Sequence, residues 1–204
     1  MLVSKKKAPK KEVAKLSRWL HIYLSMVSFA VVLFFSFTGL TLNHPSWFGG
    51  DKQVIVKNKG QLNVKWVNNP DTNKIAKLEI VEFLRKTHQV KGAVSEVRID
   101  DYELSVSLKG PAYSCDAFIN RETGTYDISE VKMGIMAVMN DLHKGRDSGK
   151  GWGWIIDISA VFLILVSLSG LILLCFIKKK RVAGFITGVV GLLICYLIYV
   201  IFVP

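Results

Sequence analysis

Two histidines, His44 and His143, bracket a long mixed-charge segment. The first closes an apolar stretch, and the second stands about ten residues ahead of another. If both stretches cross a bilayer, the two imidazoles fall at the same membrane face. A third, His21, lies at the opposite end of the first stretch, and His88 completes the chain's four. Imidazole is the commonest protein ligand for a metal and changes charge near neutral pH. Metal ligation at a membrane surface is therefore the chemistry to weigh, against the plainer reading that these rings only hydrogen-bond near headgroups. His21 precedes His44 by about 23 residues, roughly 34 Å of helix, so the two cannot serve one site. His88 reads as a helix-end cation in a soluble segment, favourable to the helix dipole.

The elements that must position these residues are legible from hydropathy. Half of the 204 residues are apolar, and the mean hydropathy is +0.33. A bilayer crossing needs roughly 20 apolar residues, and three segments qualify: 19–43, 154–177 and 182–204. The first has a basic start, but it is longer than a secretory h-region and ends in Asn43-His44-Pro45 rather than a cleavage site. It reads as a retained anchor.

The net charge of +11 is concentrated in a basic tail, 1–18, and in the turn 178–181, Lys178-Lys179-Lys180-Arg181. Lysine and arginine mark the cytoplasmic side. The amino terminus is thus expected inside, its lysines in contact with the lipid bilayer rather than with nucleic acid, and the segment 44–153 and the carboxyl terminus are expected outside. Asp157 falls within one turn of the second span's outer end, where a carboxylate needs a partner or the surface. Arg146, Lys150 and an imidazole N–H are the available partners, and a role supporting His143 or His44 is open beside simple solvation. The cysteines, Cys115, Cys175 and Cys195, form neither a disulfide framework nor a thiolate cluster.

Within 44–153, alternation predicts a hairpin of Gln53 to Val56 and Leu62 to Val67 around Asn58-Lys59-Gly60. A helix is predicted from Thr72 or Asn73 to about His88, followed by strands Val94–Ile99, Tyr102–Leu108 and Tyr113–Ile119 with a short continuation at Tyr126–Ile128. A second helix is predicted from Ser129 or Glu130 to His143, and the glycines of 144–153 suggest a flexible approach to the second span. The expected architecture is three transmembrane helices with an extracytoplasmic α+β domain between the first and second. Ser36-Phe37-Thr38-Gly39-Leu40 in the first span is echoed by Ser167-Leu168-Ser169-Gly170-Leu171 in the second. Each glycine allows close approach of a partner helix or a flat ligand. A phosphate loop, an HExxH, a Gly-x-Ser-x-Gly and a dinucleotide fingerprint are all missing, so a self-contained enzyme is not indicated.

Arg18-Trp19-Leu20-His21, Thr38-Gly39-Leu40-Thr41-Leu42-Asn43-His44-Pro45, and Leu142-His143-Lys144-Gly145-Arg146 followed by Asp157 and Ser169-Gly170-Leu171 occur in that order. Together they resemble the PepSY-associated transmembrane proteins of the bacterial inner membrane, and 72–128 resembles the PepSY fold itself. Larger relatives include ferrisiderophore reductases that hold b-type haem between histidines on transmembrane helices. The resemblance implies haem b, with His44 and His143 as axial ligands through the haem iron and His21 as an unpaired inner-face ligand. Trp47, Phe48, Trp152 and Trp154 would wall such a site, and Asp157 would support it. It also implies electron transfer linked to iron or siderophore reduction, with a redox partner or a homodimer. Other PepSY proteins are associated with restraint of secreted peptidases, so a non-redox module that binds an extracytoplasmic protein stands as the alternative.

Overall fold

The computed structural model describes residues 9–204; Lys5, Lys6 and Lys7 of the basic tail lie outside them. Three long apolar helices flank a five-stranded antiparallel sheet domain. The helices are α1 (Pro9–Asn43), α4 (Gly149–Phe176) and α5 (Arg181–Phe202), each long and apolar enough to cross a membrane. Between α1 and α4 come β1 (Gln53–Gln61), α2 (Lys77–His88), β2 (Ala93–Ile99), β3 (Glu103–Gly110), β4 (Tyr113–Asn120), β5 (Thr125–Met133) and α3 (Ile135–Lys144). The chain forms two compact units, one reaching to Leu33 and resuming with Asp157–Pro204, the other Phe34–Ile156.

In the second unit the strand order is β1-β5-β4-β3-β2, all antiparallel. Strict alternation puts Leu104, Val106 and Leu108 of β3 on one face with Cys115, Ala117 and Ile119 of β4 and Tyr126 and Ile128 of β5. Ile80, Val81 and Leu84 from α2 close that face into a single core. Full burial of such side chains stabilises by roughly 1.5–3 kcal/mol each. Cys115 lies in this core, its thiol pushed up to about 11 by burial first and by Glu130 and Asp116 next.

Three local expectations are corrected. Gln53–Gln61 is one unbroken strand, not half of a hairpin, because β5 offers it a nine-residue antiparallel register from Met133 to Thr125. Gly60 keeps this strand close to β5: a Cβ there would run into the Tyr126 hydroxyl. Residues 129–133 continue β5 rather than opening a helix, since Glu130 and Lys132 have strand partners on both sides. Only Ile135–Lys144 is helical. The glycines at 149, 151 and 153 lie inside α4, so the approach to it is helical from Gly149 onward.

Arg121 closes the turn region of the sheet. It is 9% exposed and donates to four backbone carbonyls, those of Val67, Asn69, Asp100 and Asp101, at 2.6–3.2 Å. A guanidinium suits this task because its fixed fork serves several acceptors at once. Arg121→Ala should destabilise the domain by on the order of 3 kcal/mol, and Arg121→Lys should not restore it. Amide hydrogen exchange on the full-length protein checks this, with an expected loss of about 100-fold protection in β3–β5.

Candidate functional site

α1 ends at Asn43, and the turn that follows is tight. Phe48 and Gly49 both have positive φ, and a Cβ on Gly50 would lie 2.6 Å from the Pro45 carbonyl oxygen. This turn folds Trp47 back onto His44, whose ring stacks on the indole at a 4.1 Å centroid separation and 9° between planes. Neither ring nitrogen of His44 has a hydrogen-bond partner among the described residues.

α3 brings His143 to the same span by a different route. Its starting point is Gly134 after β5, and it ends on Gly145, a left-handed residue (φ 69°) whose N–H caps the carbonyls of Asp141 and Leu142. Only glycine takes this cap without strain. Trp152 donates its indole N–H to the Leu142 carbonyl at 2.8 Å and meets Phe34 edge-on. The result places Asn140 and His143, one helical turn apart, against Thr41 and Thr38, also one turn apart. Thr41 Oγ1, with the Thr38 carbonyl at 3.0 Å and Asn140 Oδ1 at 2.7 Å, shares its one proton between two acceptors, and His143 Nδ1 lies 2.6 Å from Thr38 Oγ1. Phe35 packs edge-on to the imidazole with centroids 5.0 Å apart. Gly39 leaves room for the ring: a Cβ there would sit 3.6 Å from His143 Cε1.

The direction of the Thr38 bond decides what His143 can do. Thr38 Oγ1 also contacts the Phe34 carbonyl at 2.6 Å, and a carbonyl can only accept. The hydroxyl proton is therefore committed to Phe34, so His143 Nδ1 must carry a proton and donate. Nε2 is left with its lone pair. It has no hydrogen-bond partner among the described residues, and it is not among their buried partnerless atoms. Burial, then the charge of neighbouring Lys144, hold His143 below the usual imidazole range, favouring the neutral ring.

Asp141 faces the other way. One carboxylate oxygen accepts the Ala112 N–H in the β3–β4 turn at 2.8 Å; the other accepts Nε and a terminal nitrogen of Arg146 at 2.9 and 2.7 Å. Arg146 is thereby engaged by Asp141, whereas the sequence offered it as a partner for Asp157. Asp157 is exposed on α4 and has no hydrogen bond or ion pair among the described residues. A cleft of ≈ 270 Å³ beside the end of α1 is lined by Leu42, Pro45, Gly50, Asn140, Asp141 and Arg146 among others. It falls short of the roughly 300–1,000 Å³ of small-molecule pockets and includes neither histidine.

The remaining histidines sit elsewhere. His88 ends α2, its Nε2 2.8 Å from the Tyr126 hydroxyl. In the first unit, His21 Nδ1 lies 3.0 Å from Ser169 Oγ. Sequence reasoning missed Thr38, Thr41, Asn140 and Ser169 as partners. The visible signal was the hydroxyl-glycine-leucine echo, but nothing in one dimension said that an imidazole fills the space each glycine leaves. Groups of three or more His, Cys, Asp or Glu residues that could hold a metal ion are lacking among the described residues.

A family model described as Putative PepSY_TM-like matches residues 15–204. No curated protein and no solved structure shows significant similarity to the chain.

His143 is lowered on folding, so the unfolded chain takes up its proton first as pH falls. Its contribution is unopposed above about pH 6.5, and a penalty grows below that value. Nitrogen NMR of histidine-labelled protein should show a neutral, Nδ1-protonated His143 still present at about pH 6.5. His143→Gln should flatten the loss of thermal stability on acidification below that point.

Proposed function

The chain belongs to the PepSY_TM-like family, and we propose that it is an integral membrane haem b protein that relays electrons, with His143 and His44 as the axial ligands. The observation that carries this reading is the committed proton of Thr38. It leaves His143 with a protonated Nδ1 and a bare Nε2, the form in which imidazole ligates iron. Metal-binding histidines characteristically donate their other N–H to a fixed acceptor, and loss of that acceptor typically weakens binding about 10–100-fold.

Two features of the histidines support this reading. His143 is anchored through Nδ1, and His44 is held flat by Trp47 with both nitrogens unengaged. Phe34, Phe35 and Trp152 give the His143 side an aromatic lining. Haem held by two imidazoles supplies one-electron transfer without an open iron position. The protein's part is to fix the rings, keep His143 neutral and keep the surroundings apolar. Following the lysine distribution, the amino terminus is assigned to the cytoplasm and the sheet domain to the outer side of a bacterial inner membrane. Iron or siderophore reduction is the activity to which such a relay would couple.

The alternative, a non-redox module that binds an extracytoplasmic protein or peptidase, is favoured by one observation. β1 is an edge strand whose Val54 and Ile55 are 62% and 51% exposed. An unpaired edge of this kind can take an extended peptide as an added strand.

Absorption spectroscopy of the full-length protein from haem-replete cells separates the two. A dithionite-reduced b-type spectrum is expected, lost in His143→Ala and His44→Ala and kept in His88→Ala. Thr38→Val should weaken haem retention about 10–100-fold while Thr38→Ser preserves it. A colourless wild-type protein, with both histidine variants as stable as the parent, would favour the peptide-binding module instead.

A further inference from the structure

Two clefts of the second unit adjoin on one side of α3. The one of ≈ 270 Å³ lies beside the end of α1, where Leu42 and Pro45 face Ala137. The other, of ≈ 280 Å³, is lined by Lys109, Ser114 and Val131, which the strand registers set side by side on the sheet face opposite the core. Met133, Asp141 and Arg146 line both and form their common wall. Taken as one groove, the clefts come within the roughly 300–1,000 Å³ of small-molecule sites. Ala137, Asp141 and Lys144 recur at helical spacing, so α3 turns one face to the groove. Two non-glycine residues with positive φ, Ala112 (54°) and Asp147 (53°), both line it. Backbone strain of this kind gathers at ligand clamps.

The charges of the groove do not cancel. Lys109, Lys144 and Arg146 stand against Asp141 and Asp147, which leaves a positive surplus. Asp141 is already spent on the Ala112 N–H and on Arg146. Lys109 and Lys144 are exposed and have no ion pair among the described residues, and Nη1 of Arg146 has no hydrogen bond there. We propose that the groove seats an anionic phospholipid from the leaflet at the carboxyl end of α1. Lys109, Lys144 and Arg146 take its phosphate, and an acyl chain lies along Leu42, Pro45 and Ala137. Place selects an amphiphile: Leu42 is in the last turn of a helix long and apolar enough to cross a membrane, so the apolar walls lie at the edge of the hydrocarbon. Basic pockets in that position hold lipid phosphate, and a guanidinium with a nitrogen to spare suits it. A soluble anion would leave the apolar walls unmatched, and a neutral lipid would leave the surplus charge uncompensated. The proposal is independent of the haem reading, since neither cleft includes a histidine.

The test is native mass spectrometry of the full-length protein released from nanodiscs of phosphatidylcholine with a minority of phosphatidylglycerol. Wild type should retain phosphatidylglycerol in preference to the more abundant neutral lipid. Lys109→Ala combined with Lys144→Ala should cut that preference by roughly 30-fold, at the usual strength of a lysine beside anionic lipid. Lys77→Ala combined with Lys86→Ala, which removes the same charge from α2, should leave it unchanged; all four lysines are exposed, so the variants are expected to fold. A phosphatidylglycerol with a photoreactive group on its acyl chain should crosslink within 42–50 or 133–137. Glycerol phosphate, a headgroup without chains, should not displace the lipid. Equal retention of the two lipids by wild type, or the same loss in both lysine pairs, overturns the proposal. So do crosslinks absent from both segments, or displacement by glycerol phosphate, which would make the groove a site for a soluble anion.

Discussion

A hydroxyl group has one proton to give, and the site depends on where Thr38 gives it. Helical threonines often bond back to the carbonyl one turn earlier, and here that local habit has a long-range result. With the Phe34 carbonyl as its acceptor, Thr38 faces His143 only as an acceptor, and the imidazole is fixed in one of its two neutral forms. The glycine that follows is what lets the ring come close enough for this to matter. The tautomer of His143 is thus set by a backbone carbonyl on another helix.

The same bond depends on α3 being where it is. Ten residues long, α3 has little helical stability of its own and is positioned by what it grips. Asn140 and His143 hold α1 through Thr41 and Thr38, while Asp141 holds the Ala112 amide and Arg146. The left-handed Gly145 and the Trp152 indole finish its carboxyl end. Burial then keeps the imidazole neutral, which suits a ligand and would oppose a proton carrier near neutral pH.

Much of this was legible in the sequence because hydropathy and alternation are strong signals. The three spans, α2 and the central strands follow from runs of Leu, Val, Ile and Phe at the right period. The failures came where pattern is ambiguous. Val131 and Ile135 fit helical spacing as well as they fit strands, and what decided 129–133 was a partner strand at 53–57, far earlier in the chain. Gln53–Gln61 was misread for the same reason, since a non-local strand outcompeted a nearby turn. At the site, His44, His143 and the two glycines stood out by type and place. The oxygens that orient the rings did not, because serine and threonine are unremarkable in a span until their acceptors are known.

Consecutive engagement along α3 has a consequence for how this chain can vary. Residues 140, 141 and 143 answer to different neighbours, yet they share one rigid turn of helix. A change in the β3–β4 turn that displaced the Ala112 amide would reach Asp141 first and the His143 imidazole two residues later. Drift in the turn at 110–113 is therefore not free: it must be matched in α3, or the ring loses its acceptor on α1. A surface hairpin that looks dispensable in sequence carries, through one carboxylate, the same constraint as the histidine itself.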